Sequence, residues 1–136
     1  MGLFGSLFGG GRSKTDLIRD LVKLRISSDP MAHAAGLTPD AVDSLSKMRL
    51  NMLPEAGIVA NVGTYLTMKK MGADDSEIFD RIEQHRSRLV SGYMPDNCDL
   101  RSYIKYRAHL ENSSGLEISD ESIDFAIDQA IEFLKQ

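Results

Sequence analysis

Residues 54–71 read Pro54-Glu-Ala-Gly-Ile-Val-Ala-Asn-Val-Gly-Thr-Tyr-Leu-Thr-Met-Lys-Lys-Met71, and their pattern decides the fold. A proline at the first helical position has the right φ and lacks only an N–H that would have no partner there. The apolar residues Ile58, Val59, Val62, Tyr65, Leu66 and Met68 surround almost the whole helical circumference. A helix that is apolar nearly all round belongs in the middle of a bundle. Ala56, Gly57, Ala60 and Gly63 would let neighbouring helices approach closely, each glycine at a propensity cost of about 1 kcal/mol. Gly72 then stops the helix.

Helix signals recur outward from this segment, and strand signals are nearly lacking. Upstream, a first helix is predicted from about Thr15 to Ile26, with Leu17, Leu21, Leu24, Ile18 and Val22 on one side. Asp29-Pro30 pairs an N-cap with a first-turn proline and opens a short second helix, which Gly36 ends. Thr38-Pro39 repeats the device for a third, with Val42, Leu45, Met48 and Met52 on one stripe. Downstream, Asp74, Asp75 and Ser76 open a helix whose Arg81, Arg86 and Arg88 sit toward its negative end, with Gly92 as its stop. Residues 93–99 read as a loop, Leu100 to Leu110 as a further helix and residues 112–115 as a turn. Ser119 caps the last helix, whose apolar stripe is Ile123, Ile127, Ala130 and Leu134. The expectation is an all-α bundle of six or seven short helices spanning residues 14–136 as one domain.

Residues 1–13 are expected to form a flexible, glycine-rich arm. Leu3, Phe4, Leu7 and Phe8 would share one face of a short helix, and Gly9 to Gly11 would separate it from the bundle. Gly2 and Ser6 match the N-myristoylation pattern. The same apolar residues, beside Arg12 and Lys14, would also suit an interfacial membrane anchor. The arm lacks the basic start and cleavage site of a secretion signal. The longest uncharged run after it, Ala56 to Met68, is too short to cross a bilayer.

The chain of 136 residues carries a formal charge of −4, which disfavours nucleic acid as a partner through the overall field. Its distribution is uneven. Residues 111–136 hold seven acids against Lys135, whereas residues 81–109 hold six Arg and Lys against three acids. Asp120, Asp124, Asp128 and Glu132 form a ridge of like charge at i, i+4 spacing on the last helix. Arg101, Lys105 and His109 share a face of the preceding helix, so the two helices are expected to seat against each other. Tyr103 and Tyr106 beside that basic face would also permit base stacking, a weaker reading because the charges match within the chain.

Residues 30–49 contain Ala32, Gly36, Val42 and Leu45 at the spacing of a small residue, a turn glycine and two buried apolar positions. This resembles the helix-turn-helix of bacterial repressors. The resemblance implies Thr38, Ser44 and Lys47 as groove-facing residues, although Asp40 and Asp43 on the same helix would repel phosphates. Gly10 to Thr15 fails as a phosphate-binding loop, since Ser13 replaces the glycine before Lys14 and no strand leads in. His33, His85 and His109 fall on three separate helices without ligands at metal spacing. Cys98, beside Asp96 and Asp99, reads as an ordinary thiol.

Neither a catalytic motif nor a cofactor motif is present, so the expectation is a small non-enzymatic helical protein of adaptor or regulatory type that binds another protein. Its expected contact surfaces are Leu3, Phe4, Leu7 and Phe8 and the ridge Asp120, Asp124, Asp128 and Glu132. The alternatives are a DNA-binding regulator using residues 30–49 and a peripheral membrane protein anchored by residues 2–8. The single cysteine points to the cytoplasm, with membrane contact through the arm as the variant.

Overall fold

The computed structural model describes residues 13–36, 38, 41, 53–86, 98–112 and 117–135, and among them the chain is helical with no strand. Six helices are bounded among the described residues: α1 (Lys14–Ser27), α2 (Pro30–Ala34), α3 (Pro54–Lys70), α4 (Asp75–Arg86), α5 (Leu100–Glu111) and α6 (Asp120–Leu134). Helix α3 is the hub, packing against α1, α4, α5 and α6. Residues 1–12 and most of the third predicted helix lie outside the described residues, as do Arg88 and Gly92.

Helix ends follow local chemistry. The Ser13 hydroxyl accepts from the Asp16 N–H while the Asp16 carboxylate accepts from the Ser13 N–H, a reciprocal capping box that starts α1 one residue ahead of Thr15. Asp29, Asp99 and Ser119 cap α2, α5 and α6 with side-chain oxygens. Gly36 and Gly72 take φ of 81° and 94°, the left-handed conformation in which a β-carbon would be strained. Beyond Gly72 the chain reverses into α4, and the corner is tied by the Tyr65 hydroxyl donating to Asp75 at 2.9 Å.

The core gathers Leu17 and Leu21 of α1, Ile58, Val59 and Val62 of α3, Ile78, Phe79 and Ile82 of α4, Tyr103 and Ile104 of α5, and Ile123 and Ile127 of α6. Each fully buried aliphatic side chain contributes about 1.5–3 kcal/mol relative to exposure. Phe79 and Tyr103 stack with ring centroids 4.3 Å apart. A smaller cluster of Val22, Ile26, Ala32 and Leu53 joins α1 and α2 to the start of α3.

Two departures from the sequence pattern matter. The first half of α3 is central as expected, but Tyr65, Leu66 and Met68 are only partly buried, and Thr64, Thr67, Lys69 and Lys70 are exposed. Its last turns keep those three side chains against the core and leave the other face open to solvent. Leu24 and Leu134, expected on buried stripes, are also only partly covered, and each borders a surface groove. Among the described residues, no helix is long and apolar enough to cross a membrane.

Candidate functional site

Helices α1 and α6 touch, and beside their contact lies a cavity of about 280 Å³. Leu21, Leu24, Phe125 and Ala126 form its apolar walls, and Arg25 and Glu55 its floor. A neighbouring hollow of about 620 Å³ shares Arg25, Ser28 and Ser122 with it and is bordered by Met31, Ile118, Glu117 and Asp29. The two make one groove. Phe125 is 38% exposed and Met31 69% exposed, so large apolar side chains meet solvent at both ends.

The floor is built from a charge placed inside an apolar stripe. Arg25 follows Leu21 by one helical turn and lies beside Val22 and Ile26, so α1 carries its guanidinium inward. Glu55 sits in the first turn of α3, where the helix dipole favours a carboxylate. Nε of Arg25 donates to Oε2 of Glu55, and Nη2 donates to Oε1 at 3.2 Å. Their side chains are 5% and 2% exposed. Nη1 of Arg25 is buried and has no acceptor among the described residues. Leaving such a donor unmet costs about 1–3 kcal/mol, which makes it the least satisfied feature of the groove. At the rim, Glu117 and Glu121 are exposed and form no ion pair among the described residues.

The acidic ridge is in large part an internal joint. Asp124 pairs with Arg101 at 3.2 Å and with Lys105 at 3.1 Å, Asp128 pairs with Arg101, and Asp120 lies 3.0 Å from His109 Nε2. These contacts dock α5 on α6 along the two faces whose charges oppose each other in the sequence. The hydrogen bond from Lys105 chiefly holds the Asp124 carboxyl below its ordinary pKa of 3.8, against the opposing effect of burial and with a lesser contribution from Arg101. Glu132 forms no ion pair among the described residues, and the paired Asp120 and Asp128 carboxylates remain more than half exposed.

A second polar cluster locks α4 to α5. Arg107, 1% exposed, donates from Nη1 to Glu83 at 2.9 Å and from Nε to Glu111 at 2.7 Å. Glu83 also accepts from the hydroxyls of Tyr103 and Tyr106, and Glu111 from Arg86. Burial opposes the Glu111 charge, yet the hydrogen bonds from Arg86 and Arg107 prevail and hold its pKa below 4.5. Burial and the bond to Glu83 push the Tyr103 hydroxyl far above its ordinary 10.0. Every group here is spent on its neighbours, so the cluster is a clamp. Gly57 of α3 makes room for it: a β-carbon there would lie 2.9 Å from Glu111 Oε1.

The other residues singled out by sequence are scattered. Thr38 accepts from the Ala41 N–H at 3.2 Å, which is the capping role of the Thr38-Pro39 pattern, and Ser44 and Lys47 lie outside the described residues. Leu3, Phe4, Leu7 and Phe8 also lie outside them. His33 and His85 are exposed on α2 and α4, and among the described residues no group of His, Cys, Asp and Glu is placed to hold a metal. Burial, with Asp99 and Glu83 nearby, raises the Cys98 thiol above 9.0 and keeps it protonated at neutral pH. Arg25, Glu55 and Phe125 went unmarked in the sequence. The available signal was the position of Arg25 one turn after Leu21 on the apolar face. Neither a known protein family, nor a curated protein, nor a solved structure matches this chain, so the functional reading rests on the geometry of the groove.

Proposed function

We propose that this protein is a binding module that takes a segment of another protein into the groove between α1 and α6. The observation that carries the reading is an apolar-walled groove bordered by two large apolar side chains open to solvent, Phe125 and Met31. The carboxylates around the floor argue against an anionic ligand: Glu55 already neutralises Arg25, and Asp29, Glu117 and Glu121 border the same groove. The segment that fits therefore combines a large apolar side chain, placed against Leu21, Leu24 and Phe125, with a lysine or arginine reaching Glu117 or Glu121. Burial of exposed aromatic surface in a groove of this kind is a common source of binding energy.

The test is to pan a random peptide library against the full chain and measure the enriched peptides by fluorescence anisotropy. Peptides pairing a bulky apolar residue with Lys or Arg are expected, binding the parent and weakening at least about tenfold against Phe125→Ser or Glu121→Lys, a loss of about 1.4 kcal/mol. Both variants must keep the parent's circular dichroism. Failure to enrich any peptide, or enrichment of peptides indifferent to both substitutions, refutes the groove.

A further inference from the structure

Helices α3 and α4 pack together and border a cavity of about 310 Å³ that shares no residue with the α1–α6 groove. From α3 it is lined by Asn61 and Thr64, and from α4 by Arg81, His85 and Arg86, with Ile82 as its buried apolar part. No carboxylate is among the lining residues, in a chain whose net charge is −4. A β-carbon at Gly57, one turn before Asn61, would lie 3.7 Å from Nη2 of Arg86, so that guanidinium runs along the same face of α3.

The fold accounts for part of this. His85 and Arg86 occupy the last turn of α4, where the dipole favours a cation. Arg86 is committed to Glu111 through Nε, at 2.9 Å, and through Nη2. Arg81 is exposed and forms no ion pair among the described residues, which by itself is ordinary for a surface arginine. Asn61 is different. It is 3% exposed, and whereas the buried Glu55 and Arg107 are both hydrogen-bonded, its carboxamide has no hydrogen-bond partner among the described residues. Burying an amide without a partner is unfavourable, and the helix would be better served there by an apolar residue. Unlike the sealed Nη1 of Arg25, the Asn61 amide is still reachable, and the cavity it borders is its open side.

The lining groups define what would satisfy it. Arg81 and His85 stand one turn apart on α4 and Asn61 faces them from α3, so donors reach the cavity from two helices. A tetrahedral oxyanion presents oxygens in several directions and can meet all of them, whereas one guanidinium fork already matches a planar carboxylate. Thr64 donates its hydroxyl to the Ala60 carbonyl at 3.2 Å, which leaves its oxygen to accept. The Asn61 amide oxygen also accepts. The ligand that fits therefore carries hydroxyl groups beside its oxyanion, and the volume suits a compact molecule.

We infer that the α3–α4 cavity binds a small phosphate monoester bearing hydroxyl groups, of the sugar-phosphate class. Arg81 and His85 hold the phosphate, Asn61 spans the phosphate and an adjacent hydroxyl, and Thr64 accepts from a hydroxyl. Arg86, fixed by Glu111, is the wall against which the phosphate rests. The site is separate from the α1–α6 groove, and its occupancy does not depend on a partner bound there.

The experiment is isothermal titration calorimetry of the full chain with glucose 6-phosphate, glycerol 3-phosphate, inorganic phosphate and unphosphorylated glucose. The two phosphate monoesters are expected to bind more tightly than inorganic phosphate, and glucose is expected not to bind. Arg81→Gln should weaken the monoesters by at least about tenfold, the effect of losing a hydrogen bond to a charged group, without changing the circular dichroism. Asn61→Leu should weaken them by a similar factor while leaving the urea midpoint equal to the parent's or higher, because the replaced amide has no internal partner. The inference fails if no monoester binds up to about 10 mM, or if binding is indifferent to both substitutions. Inorganic phosphate binding as tightly as the monoesters would overturn the hydroxyl-bearing ligand, and a lowered urea midpoint in Asn61→Leu would show that the amide serves the fold instead.

Discussion

Replacing Arg107 by methionine tests whether the α4–α5 cluster is a clamp. Met keeps most of the apolar stem and removes the guanidinium, which is 1% exposed and holds Glu83 at 2.9 Å and Glu111 at 2.7 Å. Taking one partner from a buried ion pair costs about 3–5 kcal/mol, because the charge left behind has lost both water and its counterion. The loss here should fall toward the lower figure. Glu111 keeps Arg86, and Glu83 keeps the hydroxyls of Tyr103 and Tyr106. About 3 kcal/mol is a large share of the stability of a domain this size and corresponds to a fall in Tm of roughly 10 °C. Urea unfolding followed by far-ultraviolet circular dichroism at neutral pH measures it. A second substitution, Glu83→Gln in the same chain, removes the stranded charge while keeping an acceptor for the tyrosines. It should restore at least about 1 kcal/mol. A loss below about 1 kcal/mol, or one unchanged by the second substitution, would refute the clamp.

Two glycines of α3 should respond in opposite directions to alanine. Gly57→Ala should destabilise the protein by about 1–2 kcal/mol, since its β-carbon would meet Glu111 Oε1 at 2.9 Å and that carboxylate is anchored by two arginines. Gly63→Ala should stabilise it by up to about 1 kcal/mol through helix propensity, because the nearest atom to its β-carbon is Leu134 Cδ1 at 3.6 Å; matching chemical-denaturation midpoints for the two would count against this assignment. Stability should also fall in acid. The folded pKa of Glu111 lies below its ordinary 4.5, so its contribution is fully present above that value and drains away as pH drops through the lower folded one. Asp75, Asp99 and Asp124, all held below 3.8, act in the same direction. The urea midpoint should therefore be flat near neutrality and decline below about pH 4.5, less so in Glu111→Gln; a midpoint constant down to about pH 3 would contradict the linkage.

Periodicity and punctuation were enough to read the helices. Proline at first turns, Ser, Thr and Asp at caps, and glycine at left-handed stops act within a few residues, so α1, α2, α3, α5 and α6 begin within a residue or two of their expected starts. The opposition between the basic face of residues 101–109 and the acids of residues 120–128 was legible as well, because charge is read directly and both faces repeat with helical spacing. The groove was not. Arg25 stands 30 positions before Glu55, and nothing in either helix alone says that the two carry their charges to the same buried point. Phe125 falls beside the acidic ridge in the sequence, yet α6 turns it toward α1. Likewise Lys14 and Lys135 lie at nearly opposite ends of the chain, and only packing against α3 puts them on one surface.

The sequence by itself determined the secondary structure, the all-α class and the centrality of α3, because those follow from local backbone preferences and from the side chains a helix must hide. Only the tertiary structure decided which charges are neutralised, which donor is left unmet and which lysines stand together. Those outcomes depend on distances between helices remote in the chain, and on burial, which strengthens some interactions and makes others costly. Sequence spacing carries neither quantity.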